Sequence, residues 1–222
     1  MAASKKQRIG IWIIAVFMAI GSIGSFVIII LANQNSASDQ ARFTQLYGEY
    51  QTATKEYQAK VDAQSKELSD QYYTTFSQYQ SRPASFDASA VTELKKDDIV
   101  VGSGDELNSQ STFTAYYIGW KPDGTVFDSS IADGALKEPI TATPGGVIKG
   151  WTDGAVGMKV GGVRELTIPA DLAYGSTGSG DSIPADTPLK FIIMVIPTPE
   201  TIPQPEVPTE LTELYGRLYG QQ

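Results

Sequence analysis

Apolar and polar positions along this chain separate it into distinct stretches. Ile9–Leu31 carries no charged residue and is rich in Ile, Val and Phe. It exceeds the roughly 20 residues that a helix needs to cross a hydrocarbon core. The run reads as a retained transmembrane anchor rather than a cleaved signal peptide, whose apolar core spans about 7–15 residues. From Ser38 to Gln80 the chain is polar and free of proline, with Phe43, Tyr47, Tyr50, Tyr57, Val61, Leu68, Tyr72, Phe76 and Tyr79 recurring at spacings of three, four or seven. That is one weak apolar stripe at helical period. Gln64 and Gln71 interrupt it, so the stretch reads as a solvated helical spacer. The alternative is a stalk that self-associates or offers an aromatic groove to client chains. Pro83 ends the helix by disfavouring helical geometry at Arg82.

Beyond residue 94 the pattern shifts to short alternating or wholly apolar runs between turns. Asp98–Val101, Thr112–Tyr117, Arg164–Ile168 and Leu189–Val195 read as strands. Lys121-Pro122-Asp123-Gly124 and Thr143-Pro144-Gly145-Gly146 read as turns, the second leading into one short helix around Ile148–Val156. Strands joined by Gly-rich turns predict an α+β domain, an antiparallel sheet packed on one short helix. After Pro197 a Pro-rich extended linker leads to a last helical face of Leu211, Leu214, Tyr215, Leu218 and Tyr219. A helix that short is unstable alone, so it either docks on the domain or stalk or serves as a partner-binding tail. The expected organisation is a basic tip at 1–8, an anchor at 9–31, a helical stalk at 38–80, a folded domain at 94–198, and a linker with a short helix at 199–222.

Charge gives this layout a direction. Lys5, Lys6 and Arg8 precede the apolar run, while the other 14 of the 17 bases and all 25 acids follow it. The positive-inside rule then places the N-terminus in the cytoplasm and the folded domain outside, with residues 9–31 in contact with lipid. An acidic surface repels phosphate backbones, which argues against nucleic acid as a partner. The chain has neither cysteine nor histidine. It therefore lacks a thiol nucleophile, a thiolate or imidazole metal site and the usual general base near neutral pH. No metal and no cofactor are expected.

The most informative residues are Val126–Ser130, Val147–Trp151 and Leu172–Gly175. They bring a carboxylate, an indole, a phenol and apolar side chains into one short domain, as a site that works by binding and desolvation would require. With Tyr117, Gly119, Asp123-Gly124, Phe127-Asp128-Ser129-Ser130, Pro139, Val147-Ile148-Lys149-Gly150-Trp151, Gly154, Met158, Gly161, Leu166, Ile168, Ala173-Tyr174-Gly175, Ile183-Pro184 and Phe191 in order, residues 94–198 resemble the FKBP-type peptidyl-prolyl cis–trans isomerases, the macrolide-binding immunophilins. The resemblance covers somewhat under half of the chain. It implies a half-barrel of antiparallel strands wrapped around the short helix, and a pocket that takes proline-containing polypeptides. The implied catalytic set is Tyr117, Phe127, Asp128, Ile148, Trp151 and Tyr174. Trp151 is the floor, Asp128 the rim carboxylate, and the Tyr174 hydroxyl and the Ile148 N–H the donors to a bound carbonyl. Val147, Ile140, Ile183 and Phe191 are the implied substrate-binding set.

The sequence departs from the family pattern at three places. Ile140 stands where a wall phenylalanine is usual. Ile131–Glu138 lacks the arginine often placed near the rim carboxylate, which leaves Asp128 unpaired or facing Lys137. Ser179 and Ser182 occupy positions that are often aromatic or apolar in the overhanging hairpin. The expected function is a membrane-anchored prolyl isomerase that assists the folding of exported proteins. The alternative is a membrane-anchored module or scaffold that holds proline segments without turnover.

Overall fold

The computed structural model describes residues 34–219. The expected basic tip and membrane span, residues 1–31, lie outside the described residues. Among the described residues no helix is long and apolar enough to cross a membrane. The chain divides into two compact units: residues 56–204, and a smaller unit of residues up to Lys55 with those from Pro205 onward. Helix α1 (Gln34–Ser77) contributes to both.

The larger unit carries eight strands: β1 (Lys95–Val100), β2 (Phe113–Trp120), β3 (Val126–Ser129), β4 (Ile131–Ala132), β5 (Ala135–Leu136), β6 (Ile140–Ala142), β7 (Val163–Ile168) and β8 (Leu189–Ile196). The main sheet is antiparallel in the order β1-β7-β8-β2-β3, with β6 also paired to β2. This is the expected α+β architecture. β6 takes the edge of β2 at Phe113–Ala115 and β3 takes it at Ile118–Trp120. Between them the chain leaves the sheet as the β4–β5 hairpin. Asp133 and Gly134 both have positive φ there, 50° and 78°, which suits a two-residue Asp-Gly connection matched to strand twist.

The short helix α2 (Lys149–Ala155) lies against β7. Two glycines permit the approach: a Cβ on Gly150 would fall 2.3 Å from Ile168 Cγ2, and one on Gly154 would fall 2.5 Å from Leu166 Cδ1. Buried Arg164 closes the end of α2. Its Nη1 donates to the carbonyls of Gly154 (2.7 Å) and Val156 (3.0 Å), while Nε and Nη2 donate to the Asp98 carboxylate at 2.7 and 2.9 Å. The hydrogen bond from Arg164 holds the Asp98 carboxyl below its usual range. A carboxyl depressed in the folded state stabilises above its unfolded pKa, and the contribution disappears as pH falls through the folded value. Asp98→Asn should therefore cost on the order of 1 kcal/mol at neutral pH, a modest value because solvent screens a half-exposed carboxylate. The difference from the parent chain should close in acid. Thermal melts at neutral and acidic pH check this, and a gap that ignores pH would refute it.

Alternation along β2 and β8 divides the apolar side chains between two faces. Phe113, Ala115, Leu189, Phe191, Ile193 and Val195 join Trp151, Leu166 and Ile168 on the α2 side. Tyr116, Ile118, Trp120, Ile192, Met194 and Ile196 point the other way, where they pack with Phe76 and Tyr79 and with partly buried Leu68, Tyr72 and Tyr73. The second half of α1 is therefore a packed layer on the sheet, in contrast to the solvated spacer expected from its weak stripe. The interruption at Gln64 is itself a contact, since its amide donates to the Glu200 carbonyl at 2.8 Å. In the smaller unit, helix α3 (Thr209–Tyr219) buries Leu211 and Leu214 against Phe43 and Leu46. Arg42 adds a two-pronged bond to Glu210 at 2.9 and 2.7 Å. The C-terminal helix thus docks on the first part of α1.

Candidate active site

Where β3 and β6 part along the edge of β2, Tyr117 is left facing a pocket of about 370 Å³. The Phe127–Ser130 motif builds its rim. The Ser130 hydroxyl accepts from the Tyr117 N–H at 2.9 Å and the Ser130 N–H donates to the Tyr117 carbonyl at 2.8 Å, a clamp in which the hydroxyl takes the place of a strand carbonyl. The Ser129 hydroxyl accepts from the Ile131 N–H at 3.0 Å, which turns the chain into the hairpin. Asp128 is then held at the rim, with the Tyr117 hydroxyl donating to Oδ2 and Lys137 Nζ 3.7 Å from Oδ1.

Trp151, 3% exposed, forms the floor. The rings of Tyr117 and Phe191 meet it edge-on at 5.3 and 5.4 Å, and Phe113 stacks with it at 6.5 Å. Phe127 meets Phe191 at 5.5 Å and 86°. Gly119 makes that contact possible, because a Cβ there would fall 2.6 Å from Phe127 Cζ and 2.7 Å from Phe191 Cε1. Edge-to-face packing of this kind fixes ring planes as well as burying area. Ile140, Val147 and the backbone of Gly145 and Gly146 complete the wall.

Two donors face the opening. Ile148 stands just before α2 with an extended backbone (φ −59°, ψ 149°). Its N–H meets no protein acceptor among the described residues, as first-turn N–H groups of a helix often do not. Tyr174 lies between two 3-10 turns and is 37% exposed. Burial, and then the negative charge of Asp128, push its phenol above the ordinary tyrosine value. Burial and the hydrogen bond to Asp128 do the same to Tyr117. Both phenols therefore stay protonated donors. Among the described residues no cluster of acidic side chains could hold a metal ion.

The family model described as FKBP-type peptidyl-prolyl cis-trans isomerase matches residues 104–196. The chain is 41% identical over 102 residues to the FK506-binding protein of Neisseria meningitidis serogroup A, covering 91% of that protein and 45% of this chain. This chain belongs to the FKBP-type peptidyl-prolyl cis–trans isomerase family. Similar relatives include the probable FKBP-type isomerase of Haemophilus influenzae, 40% identical over 43% of this chain and 38% of that protein. Another is the FK506-binding protein 2 of Yarrowia lipolytica, 48% identical over 36% of this chain and 55% of that one.

Against this FKBP frame, the structure gathers Tyr117, Phe127, Asp128, Ile140, Val147, Ile148, Trp151, Tyr174 and Phe191 around one pocket. Ile183 is the exception among the expected substrate-binding residues. Its backbone pairs with Ser179 in the overhanging hairpin, which turns the side chain inward, 3% exposed, into the core. Neither Ser179 nor Ser182 reaches the pocket lining. Sequence reasoning missed Gly145 and Gly146, which line the site with backbone alone and so carry no side-chain signal. It also missed Phe113, whose alternation with Ala115 and Tyr117 on one face of β2 was the available clue.

Proposed function

We propose that this pocket binds the prolyl ring over Trp151 and rotates the preceding amide, and that the enzyme works anchored to a membrane on exported polypeptides. An X-Pro bond crosses a barrier of roughly 18–20 kcal/mol set by amide resonance. An apolar, ring-lined cavity strips water from the carbonyl and weakens that resonance. A twisted amide that fits better than either planar form then gains rate without any nucleophile. The Ile148 N–H and the Tyr174 hydroxyl are the donors for the bound carbonyl, and the hydrogen bond from Tyr117 keeps Asp128 at the rim. The observation that carries the reading is the floor: a buried indole held by three rings beneath an open, largely apolar cavity whose one charged lining residue is the rim Asp128.

Isomerisation of a proline tetrapeptide tests it. Tyr174→Phe should lower kcat/KM roughly three- to tenfold, as expected for one neutral hydrogen bond. The pH profile should be flat between about pH 6 and 9, because the chain has no histidine or cysteine and both pocket phenols are shifted upward. A bell-shaped profile would contradict the mechanism. Carbonate extraction of membranes checks the anchor, and a full-length chain released to the supernatant would overturn it. The basic cluster before the apolar run supports an outward-facing domain.

A further inference from the structure

The larger unit has a second concavity, of about 490 Å³, between α1 and the β4–β5 hairpin. One lip is the row Gln58, Asp62, Lys66 and Asp70, four residues apart on one face of the helix. The row is internally satisfied: the Gln58 amide donates to Asp62 at 2.8 Å and Lys66 pairs with Asp70. The opposite lip is β5 with Lys137 and Glu138 after it. Buried Ser69 fastens the two lips together, its hydroxyl accepting from the Leu136 N–H at 2.8 Å. That bond shows which way β5 faces. One edge pairs with β4, and the other turns towards α1 across the concavity.

The cleft adjoins the isomerase pocket. Lys137 lines the cleft and reaches Asp128 on the pocket rim, and Ile140 in the pocket wall follows three residues later. Leu136 to Ile140 spans about 13 Å of extended chain. We propose that this cleft is an accessory subsite for the substrate polypeptide, which it takes in extended form at residues flanking the prolyl residue. The inference rests on the isomerase reading of the pocket. The Leu136 N–H on that edge is held by Ser69, so the edge offers an extended chain the Leu136 carbonyl as an acceptor, without a sequence requirement. Alternating carboxylate and ammonium groups on the lips select no single charge. Both features suit a ligand defined only by the proline held next door.

Ala135→Trp on β5 and Ser65→Trp on α1, both in the cleft lining, fill the cleft from its two sides while leaving the Ser69 bond and the pocket in place. The full-length protein and both variants are compared on a proline tetrapeptide and on a peptide of about 15 residues with a central proline, long enough to reach the cleft. The parent chain should show a lower KM for the long peptide. Both variants should raise that KM about fivefold with kcat unchanged, the signature of lost uniform binding, and leave the tetrapeptide constants alone. Equal KM values for the two peptides in the parent chain would overturn the inference. So would variants that leave the length effect intact, or that slow both peptides alike. A parent chain inactive on the tetrapeptide would instead overturn the isomerase reading itself, so the two failures are distinguishable.

Discussion

Replacing Trp151 with alanine should lower kcat/KM on a proline tetrapeptide by at least about tenfold and cost about 3–5 kcal/mol of stability. Both effects follow from one side chain serving two surfaces. Its outer face is the floor on which a prolyl ring would rest, and its remaining surface fills the space between Phe113, Tyr117 and Phe191. Removing the indole leaves a cavity at the junction of pocket and core, and the neighbouring rings lose the contact that fixes their planes. A stability loss of that size is a large share of the roughly 5–15 kcal/mol available to a domain, so alanine alone confounds catalysis with folding. Trp151→Phe separates them. Phenylalanine keeps an apolar ring in the space and should retain most of the stability, measured by chemical denaturation, while activity still falls several-fold. A Trp151→Phe protein with undiminished kcat/KM would remove Trp151 from the catalytic role.

How far the sequence prefigured this site depends on which physical signal each residue carries. Residues that act through side chains, such as Asp128, Trp151 and Tyr174, stood out because an indole or a carboxylate in a small domain needs a reason to be there. Gly145 and Gly146 act through backbone surface and give no such signal. Ile183 misled for the opposite reason: its apolar side chain next to Pro184 suits a pocket wall as well as a core, and only the pairing with Ser179 decides between them. The hairpin that follows the rim was legible. Asp133-Gly134 between Ile131-Ala132 and Ala135-Leu136 is a strong short-range hairpin signal.

The layering of the fold offers a sharper case. Leu189 to Ile196 is almost continuously apolar, with Ile192-Ile193-Met194-Val195-Ile196 unbroken. A sheet covered on one face alternates apolar and polar residues, and an unbroken run marks a strand covered on both. The run therefore called for a second layer opposite α2. The stripe on α1 is an apolar surface of suitable length for that layer, but its weakness hides the match. The stripe is weak because different neighbours cover different parts of the helix. Leu68, Tyr72, Phe76 and Tyr79 meet the sheet, Phe43 and Leu46 meet α3, and Gln64 between them meets linker backbone. A single hydrophobic period cannot describe a helix that changes partners along its length.

That layer leads to the second large effect: Phe76→Ala should destabilise the protein by about 3–5 kcal/mol while leaving kcat/KM of the folded protein within about twofold. Phe76 is fully buried, with ring centroids 6.2 Å from Tyr116 and 6.0 Å from Tyr79. It lies across the sheet from the pocket, since Tyr116 and Tyr117 are neighbours in β2 whose side chains point to opposite faces. The tyrosine beneath it is deeply enough desolvated for its phenol to be pushed up to about 12. Truncation makes the same argument more severely. A fragment beginning at residue 84 keeps every pocket residue but strips the cover from Tyr116, Ile118, Trp120, Ile192, Met194 and Ile196. Two aromatic side chains alone bury roughly 300–500 Å², so the bared face would exceed the few hundred Å² that a soluble monomer ordinarily exposes. Such a fragment should aggregate or bind an apolar dye, and its denaturation midpoint should fall below that of the chain retaining residues 56–83. A monomeric fragment with an unchanged midpoint would show that α1 contributes nothing to the stability of the sheet. Loss of tetrapeptide activity in soluble, folded Phe76→Ala protein would instead show that the two faces are coupled.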